Sequence, residues 1–427
     1  MKPSDSGTGI ANDSRPTVSR RRGLAAIAAM VAGGAVTLTA CGGDKSSAAG
    51  VGSNAVKSEQ SAGAAAAKDT SDAGITILPG DNKTNASIQT SGVVTVTKGT
   101  LISVSLKTDA GSKVSGTLST DRTSWKPDAQ LQRATKYQLV ATAEDSQKRQ
   151  VVENATFTTV SQANSFIGYF TPDNGTTVGV GMPVSFNFDK AITNKKAVQQ
   201  AITVTTSTGQ EVVGHWFSDT RLDFRPEQYW TAYSTITVKI ALDGVEGASG
   251  VYGVQAKTVT FKIGRKQVST ADDKTKTMTV VRDGKTIRTI PVSLGAPGNT
   301  TYNGIMVMSE KLKQTRMNSQ TVGLGKAYDI KDVPHAIRLT TSGTFVHGNY
   351  WRPVSVFGHT DTSHGCIGLH DTKGGNDTST PAYWFYNNSL LGDVVIVKNS
   401  PDKTVSPDNG FSDWNLSWSA WKAGSAV

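Results

Sequence analysis

The 427-residue chain holds two cysteines, Cys41 and Cys366, and six histidines, five of which fall between His335 and His370, around the second cysteine. A thiol attacks as the thiolate, so chemistry at Cys366 calls for an imidazole close by to take its proton. A carbonyl substrate adds a need for backbone N–H groups that hold the oxyanion. The run Ser363-His364-Gly365-Cys366 offers groups of both kinds. Gly365 has no Cβ, which lets backbone and substrate approach closely, and the N–H groups of Gly365 and Cys366 are the candidates for the oxyanion. A metal centre is the competing chemistry, with His359, His364, Cys366 and His370 as ligands. The chain has no His-x-Glu-x-x-His run, no Cys-x-x-Cys pair and no carboxylate-rich partner set, so neither a metal nor another cofactor is expected.

The N-terminus says where such a thiol would work. Arg20-Arg21-Arg22 precedes Gly23 to Ala40, 18 uncharged residues built mainly of Ala, Val, Gly, Ile and Leu. A basic flank followed by a short apolar run is the pattern of an export leader, and Ser19-Arg20-Arg21 matches only part of a twin-arginine signal. Leu38-Thr39-Ala40-Cys41-Gly42-Gly43 resembles a bacterial lipobox, with cleavage before Cys41 and acylation of its thiol. The expectation is a signal peptide over 1–40 and an exported lipoprotein, anchored to the outer face of the cytoplasmic membrane through Cys41 and facing the cell wall. Cys366 then has no disulfide partner, and a lone thiol kept in an oxidising compartment points to chemistry. Of the net charge of +10, the first 40 residues carry five basic and two acidic groups, which leaves +7 on the mature chain. Without a dense Lys/Arg block this suits mild attraction to anionic envelope polymers and excludes nucleic acid as a partner.

The elements that must position Cys366 are mainly strands. Residues 41–72 are Ser, Ala, Gly and Lys with almost no large apolar side chain, the composition of a flexible tether. From 73 to 162 short alternating runs such as Val93–Thr97, Leu101–Leu106 and Tyr137–Ala141 predict strands, and a second block from 163 to 265 repeats the pattern with Val184–Phe188 and Thr235–Ile240. Trp125-Lys126-Pro127 recurs 99 residues later as Phe224-Arg225-Pro226, read as an aromatic-basic-Pro turn. Four residues beyond each Pro stand Leu131 and Trp230, and ten beyond stand Tyr137 and Ile236. Two Ig-like β-sandwich modules acting as spacers are the simplest account.

A third, β-rich domain over 266–398 opens with the hairpin Thr277–Arg282, Asp283-Gly284, Lys285–Ile290. Its strands continue through Ile305–Met308, Ala336–Leu339 and Asp393–Val397, and Ala382–Asn388 is its one convincing helix. The tail 399–427 carries Trp414, Trp418 and Trp421 at helical spacings, the stripe of a cap packed on an earlier domain. His335 and His370 read as surface or loop-packing residues, His359 as part of the loop before Cys366, and His215 as half-buried beside Trp216.

The run His347-Gly348-Asn349 … Gly358-His359-Thr360-Asp361-Thr362-Ser363-His364-Gly365-Cys366 closely resembles the signature of the L,D-transpeptidases, the YkuD-like family. Tyr328 and Ser342-Gly343-Thr344-Phe345-Val346 match upstream, and two Ig-like modules behind a lipobox resemble the actinobacterial members from about residue 73 to the end. The resemblance implies that Cys366 attacks the carbonyl joining the third-position diamino acid to D-Ala in a peptidoglycan tetrapeptide stem. A second stem's amine then resolves the thioester into a 3→3 cross-link. It assigns His347 as general base and later acid, oriented by the carbonyl of Gly348. It makes His364 a support and hydrogen-bond partner beside the nucleophile and Ser363 a buttress of the loop. It places Tyr328, Ser342 and Gly343 against the stem and the oxyanion region. Carbapenems are implied as covalent inhibitors.

One position departs from the pattern. The family continues His-Gly-Cys-x-Asn, and here Gly368 stands where the substrate-holding Asn belongs. Asn376, His370 and Asn349 are the nearby side chains able to replace it. Water as acceptor gives a carboxypeptidase and a protein amine gives attachment to the wall. A non-catalytic wall-binding lipoprotein is the remaining alternative, and Gly368 is the only feature that favours it.

Overall fold

Alternation of β-branched and polar residues yields strands with one buried face. In Lys136–Glu144 the side chains of Tyr137, Leu139, Ala141 and Ala143 turn inward while their neighbours stay outside. The computed structural model describes residues 70–427 apart from Leu324 and the side chain of Val322. The leader, Cys41 and the tether up to residue 69 lie outside the described residues.

The first module pairs Gly74–Leu78, Val93–Thr97, Ser124–Pro127 and Gly116–Leu118, in that order, and a five-stranded sheet built around Lys136–Glu144 completes it. Val94, Leu106, Trp125, Tyr137 and Phe157 fill its core. The second module repeats the four-stranded order with Gly168–Thr171, Val184–Phe188, Arg221–Arg225 and Val213–Trp216, opposite a sheet built around Thr235–Ala241. Trp125 and Phe224 therefore sit on matching strands, each third in its sheet. This corrects the turn read from the sequence, because both aromatic residues lie within strands. The second module also holds a helix over Lys195–Gln200, capped by Asn194, which the sequence reading lacks. Six residues give too little periodicity to detect.

The third domain is organised on one nine-stranded sheet. Its hairpin turns through Asp283 (φ 47°) and Gly284 (φ 81°), as a two-residue turn of this type requires. Sixth in the order of nine strands, Ile367–His370 lies between Lys285–Ser293 and Phe345–Asn349. The last of these runs parallel to Ile367–His370, because residues 350–366 carry the chain back across the sheet before it re-enters. The helix Pro381–Asn388 starts with Thr380 accepting from the Tyr383 N–H and closes the core with Ala382 and Phe385.

The third domain is bolted to the second module. Arg265 donates to both carboxylate oxygens of buried Asp393 at 2.8 Å, and the N–H groups of Gly179 and Gly181 donate to the carbonyls of Leu391 and Gly392. The tail crosses back over that module, where the Trp414 and Trp421 indoles donate to the carbonyls of Gly181 and Val213. His215, half-buried, hydrogen-bonds the Trp421 carbonyl at 2.8 Å and stacks on its ring.

Candidate active site

Parallel register sets two rows of side chains. Val346 pairs with Ile367, His347 with Gly368 and Asn349 with His370. Because side chains alternate along a strand, Val346, Ile367 and Leu369 enter the core, and Phe345, His347, Asn349, Gly368 and His370 share the other face. Cys366 precedes its strand by one residue and packs with Phe345 and Ala336. A cavity of about 240 Å³ opens on that face, with Cys366, His347, Tyr328, Trp351 and His364 in its wall.

His347 is 4% exposed, and its Nδ1 lies 2.9 Å from the Gly348 carbonyl oxygen. A carbonyl can only accept, so Nδ1 carries the proton and Nε2 is left as the base. The ring stacks on Trp351 at 5.7 Å. Burial lowers the imidazole below the usual histidine range, and the bond to Gly348 opposes this. Gly348 has no room for a side chain, since a Cβ there would lie 2.2 Å from Asp371 Oδ2. The same carboxylate holds His335 Nδ1 at 2.7 Å and accepts from Thr380 Oγ1 and the Thr372 N–H. His335 is thus a buried member of the strand Asp329–Arg338, not the surface or loop residue the sequence suggested. With Asp371 it backs the strand that orients His347.

The Cys366 thiol hydrogen-bonds the carbonyl of Gly343 at 3.6 Å, not the imidazole. Burial pushes it up to about 11, so it is a neutral thiol in the free protein at pH 7. Burial also raises the Tyr328 phenol, with the neighbouring Cys366 as a second and smaller cause. The loop leading to Cys366 is braced from the strand Lys285–Ser293. The N–H groups of Thr362 and Ser363 donate to the Leu294 carbonyl, and Asp361 accepts from the Leu294 N–H while paired with Lys276. Ser363 Oγ donates to the Cys366 carbonyl at 2.7 Å and accepts from the Gly365 N–H at 3.2 Å. The Gly365 N–H is therefore engaged locally in the free protein, which corrects its expected aim at substrate. What demands glycine there is φ of 103°, for a Cβ would find its nearest neighbour at an ordinary 3.5 Å.

Other expected residues divide. Tyr328 lines the cavity and packs on His364 with ring centroids 5.0 Å apart. His364 is exposed and makes this ring contact instead of the expected hydrogen bond. Gly343 contributes its carbonyl to the thiol, but the Ser342 side chain is exposed and its hydroxyl accepts from Asn409 Nδ2 at 2.8 Å. Asn409 Oδ1 also accepts from the Ser342 N–H and Thr341 Oγ1, so the tail grips the turn whose carbonyl meets Cys366. Its neighbours Asp408 and Gly410 accept from Arg221 of the second module through their carbonyls. No signal in the sequence links Asn409 to residues so far away. His359 is exposed, and His370 packs edge-on against Phe357.

Residues 83–246 match the bacterial Ig domain family, and residues 266–397 match the L,D-transpeptidase catalytic domain family. L,D-transpeptidase 2 of Mycobacterium tuberculosis is 35% identical over 340 residues, 78% of this chain and 80% of that protein. L,D-transpeptidase 5 of the same organism is 31% identical over 333 residues, 76% of this chain and 70% of that protein. A solved L,D-transpeptidase in complex with imipenem is 29% identical, spans 54% of this chain and 97% of its own, and superposes with a TM-score of 0.45.

Proposed function

The chain belongs to the L,D-transpeptidase family, and from that premise we propose that it forms 3→3 peptidoglycan cross-links through a thioester on Cys366. The observation that carries this reading is that the Cys366 thiol, the one cysteine among the described residues, and an imidazole whose Nδ1–H is fixed by the Gly348 carbonyl stand in the wall of one cavity. Both groups are neutral at pH 7, the thiol because burial raises it and His347 because burial lowers it. Nucleophile and base are thus poised, and the proton moves only when a carbonyl is presented.

In the proposed cycle the sulfur attacks the carbonyl between the third-position diamino acid and D-Ala, and its proton passes to His347 Nε2. The tetrahedral intermediate collapses, the C–N bond breaks, and D-Ala leaves as the amine after taking that proton. The amine of a second stem attacks the thioester, gives its proton to His347, and the thiolate leaves and recovers the proton. Carbapenems acylate the same sulfur by opening their β-lactam ring. The proposal includes export and lipidation at Cys41, which put the domain beside the wall; loss of palmitate labelling in Cys41→Ala checks that part.

Intact-mass measurement with a carbapenem tests the nucleophile: one adduct on the wild type and none on Cys366→Ala is expected, and an adduct on the variant defeats it. Muropeptide analysis with tetrapeptide stems tests the acceptor. Cross-linked dimers are expected, and trimmed tripeptides alone would overturn cross-linking in favour of carboxypeptidase action.

A further inference from the structure

Gly368 offers no side chain to a bound stem, and three neighbours were candidates to replace it. Asn376 is exposed and absent from the cavity wall. His370 turns to Phe357 and is also absent from that wall. Asn349 differs from both. The parallel register puts it on the same face as His347, two residues further along the strand, and it lines the cavity that holds Cys366. Its residue is 2% exposed, and its Oδ1 is sealed from solvent with no hydrogen-bond partner. A Cβ on Gly368 would sit 3.4 Å from Asn349 Nδ2, so the amide lies over the place where a side chain from 368 would begin.

A buried amide oxygen without a donor is destabilising, and such groups are rare unless something supplies the missing partner. The cavity is where that partner would enter. A stem peptide brings backbone N–H groups on either side of the carbonyl that Cys366 attacks, and the soft amide torsion of Asn lets its oxygen turn towards them. The amide also has an NH₂ group to offer to a peptide carbonyl. We propose that Asn349 is the substrate-holding residue of this enzyme, hydrogen-bonding the donor stem's backbone beside the scissile carbonyl from the base strand instead of from the nucleophile strand. This rests on the transpeptidase reading of Cys366. It does not require Asn349 to move a proton, so the residue binds and orients and leaves the chemistry to His347.

The test uses the full mature protein and two readouts: acylation of Cys366 by a tetrapeptide stem, and alkylation of Cys366 by iodoacetamide, which needs no peptide grip. Asn349→Ala should lower kcat/KM for the stem about 10- to 100-fold, the loss of one substrate hydrogen bond. Its iodoacetamide rate should stay within about twofold of the wild type, as expected when only uniform substrate binding is lost. Asn349→Leu, which keeps the branching of the side chain without its polar atoms, should behave the same way and guards against a defect caused by the cavity that Ala leaves. Adding Gly368→Asn to Asn349→Ala should return part of the lost stem acylation. Unchanged stem kinetics in both single variants overturn the proposal, as does a parallel fall in alkylation, which would make Asn349 a support of the thiol. A wild type that iodoacetamide modifies and no stem acylates sinks the transpeptidase reading instead, so the two failures are separable.

Discussion

Lys126 and Arg225 follow Trp125 and Phe224 on matching strands of two sandwiches, yet Lys126 is exposed and Arg225 is 2% exposed. The Arg225 guanidinium lies 4.6 Å from the Trp414 ring and 4.3 Å from that of Trp421, and it donates to the carbonyls of Pro226 and Leu416. One copy of the repeat thus meets water and the other seats the C-terminal tail. From that seat a chain of contacts runs through Arg221 and Asn409 to the turn at Gly343 and the thiol. The first module meets the second with Ser87 and Thr90 donating to Asp243 beside Ile88, Val160 and Val254. The same architecture serves as a brace when its free face is covered and as a spacer when it is not. Cation–π stacking and carbonyl acceptors are what let a buried arginine do the covering.

Exchanging the basic residues breaks the comparison most sharply. The Arg225 Nε lies 3.5 Å from Oδ2 of buried Asp413, so Arg225→Ala strips the cation from that carboxyl and should cost about 3–5 kcal/mol in urea unfolding at pH 8, while Lys126→Ala should stay within about 0.5 kcal/mol. Equal losses would mean the tail adds nothing to the second module. Asp413 supplies a pH signature next. Burial pushes its carboxyl up to about 7 from an ordinary 3.8, so the fold prefers the neutral acid. That contribution is present below about pH 4 and is lost as pH rises through about 7. Asp413→Asn should therefore gain on the wild type between pH 4 and 8 in thermal unfolding, and a constant difference would contradict it. Asn409→Ala should cost only about 1 kcal/mol of stability but slow carbapenem acylation about tenfold, because the Gly343 carbonyl loses its brace. Asp243→Ala, at the contact between the modules, should change stability by under about 1 kcal/mol and leave acylation untouched. A slowed acylation there would make the first module part of the brace.

Much of the site was legible because its signals are local. Cys366, Ser363 and Gly365 lie in one run, and alternation exposed the strands that carry them. Trp414 and Trp421 were readable as packing residues from their spacing, but their seat on Arg225 was not. His335 looked like a loop residue because its partner Asp371 stands 36 positions away. The family resemblance placed Ser342 against substrate, and Asn409, 67 positions on, left no trace in the sequence of the contact that holds it. The missing Asn at 368 left three possible replacements, and only the cavity wall separates them, since it includes Asn349 and neither His370 nor Asn376.

Residue types, counts and short spacings determined the candidate nucleophile, the mainly β class, the repeat and the expected route of export, since each depends on neighbours within a few positions. Tertiary structure alone decided that the thiol rests on Gly343, that Asn349 lies over Gly368, and that the second module, not the first, reaches the site. Those outcomes depend on sheet register and on contacts between distant segments. A one-residue slip in that register would turn the side chains of the slipped strand to the opposite face.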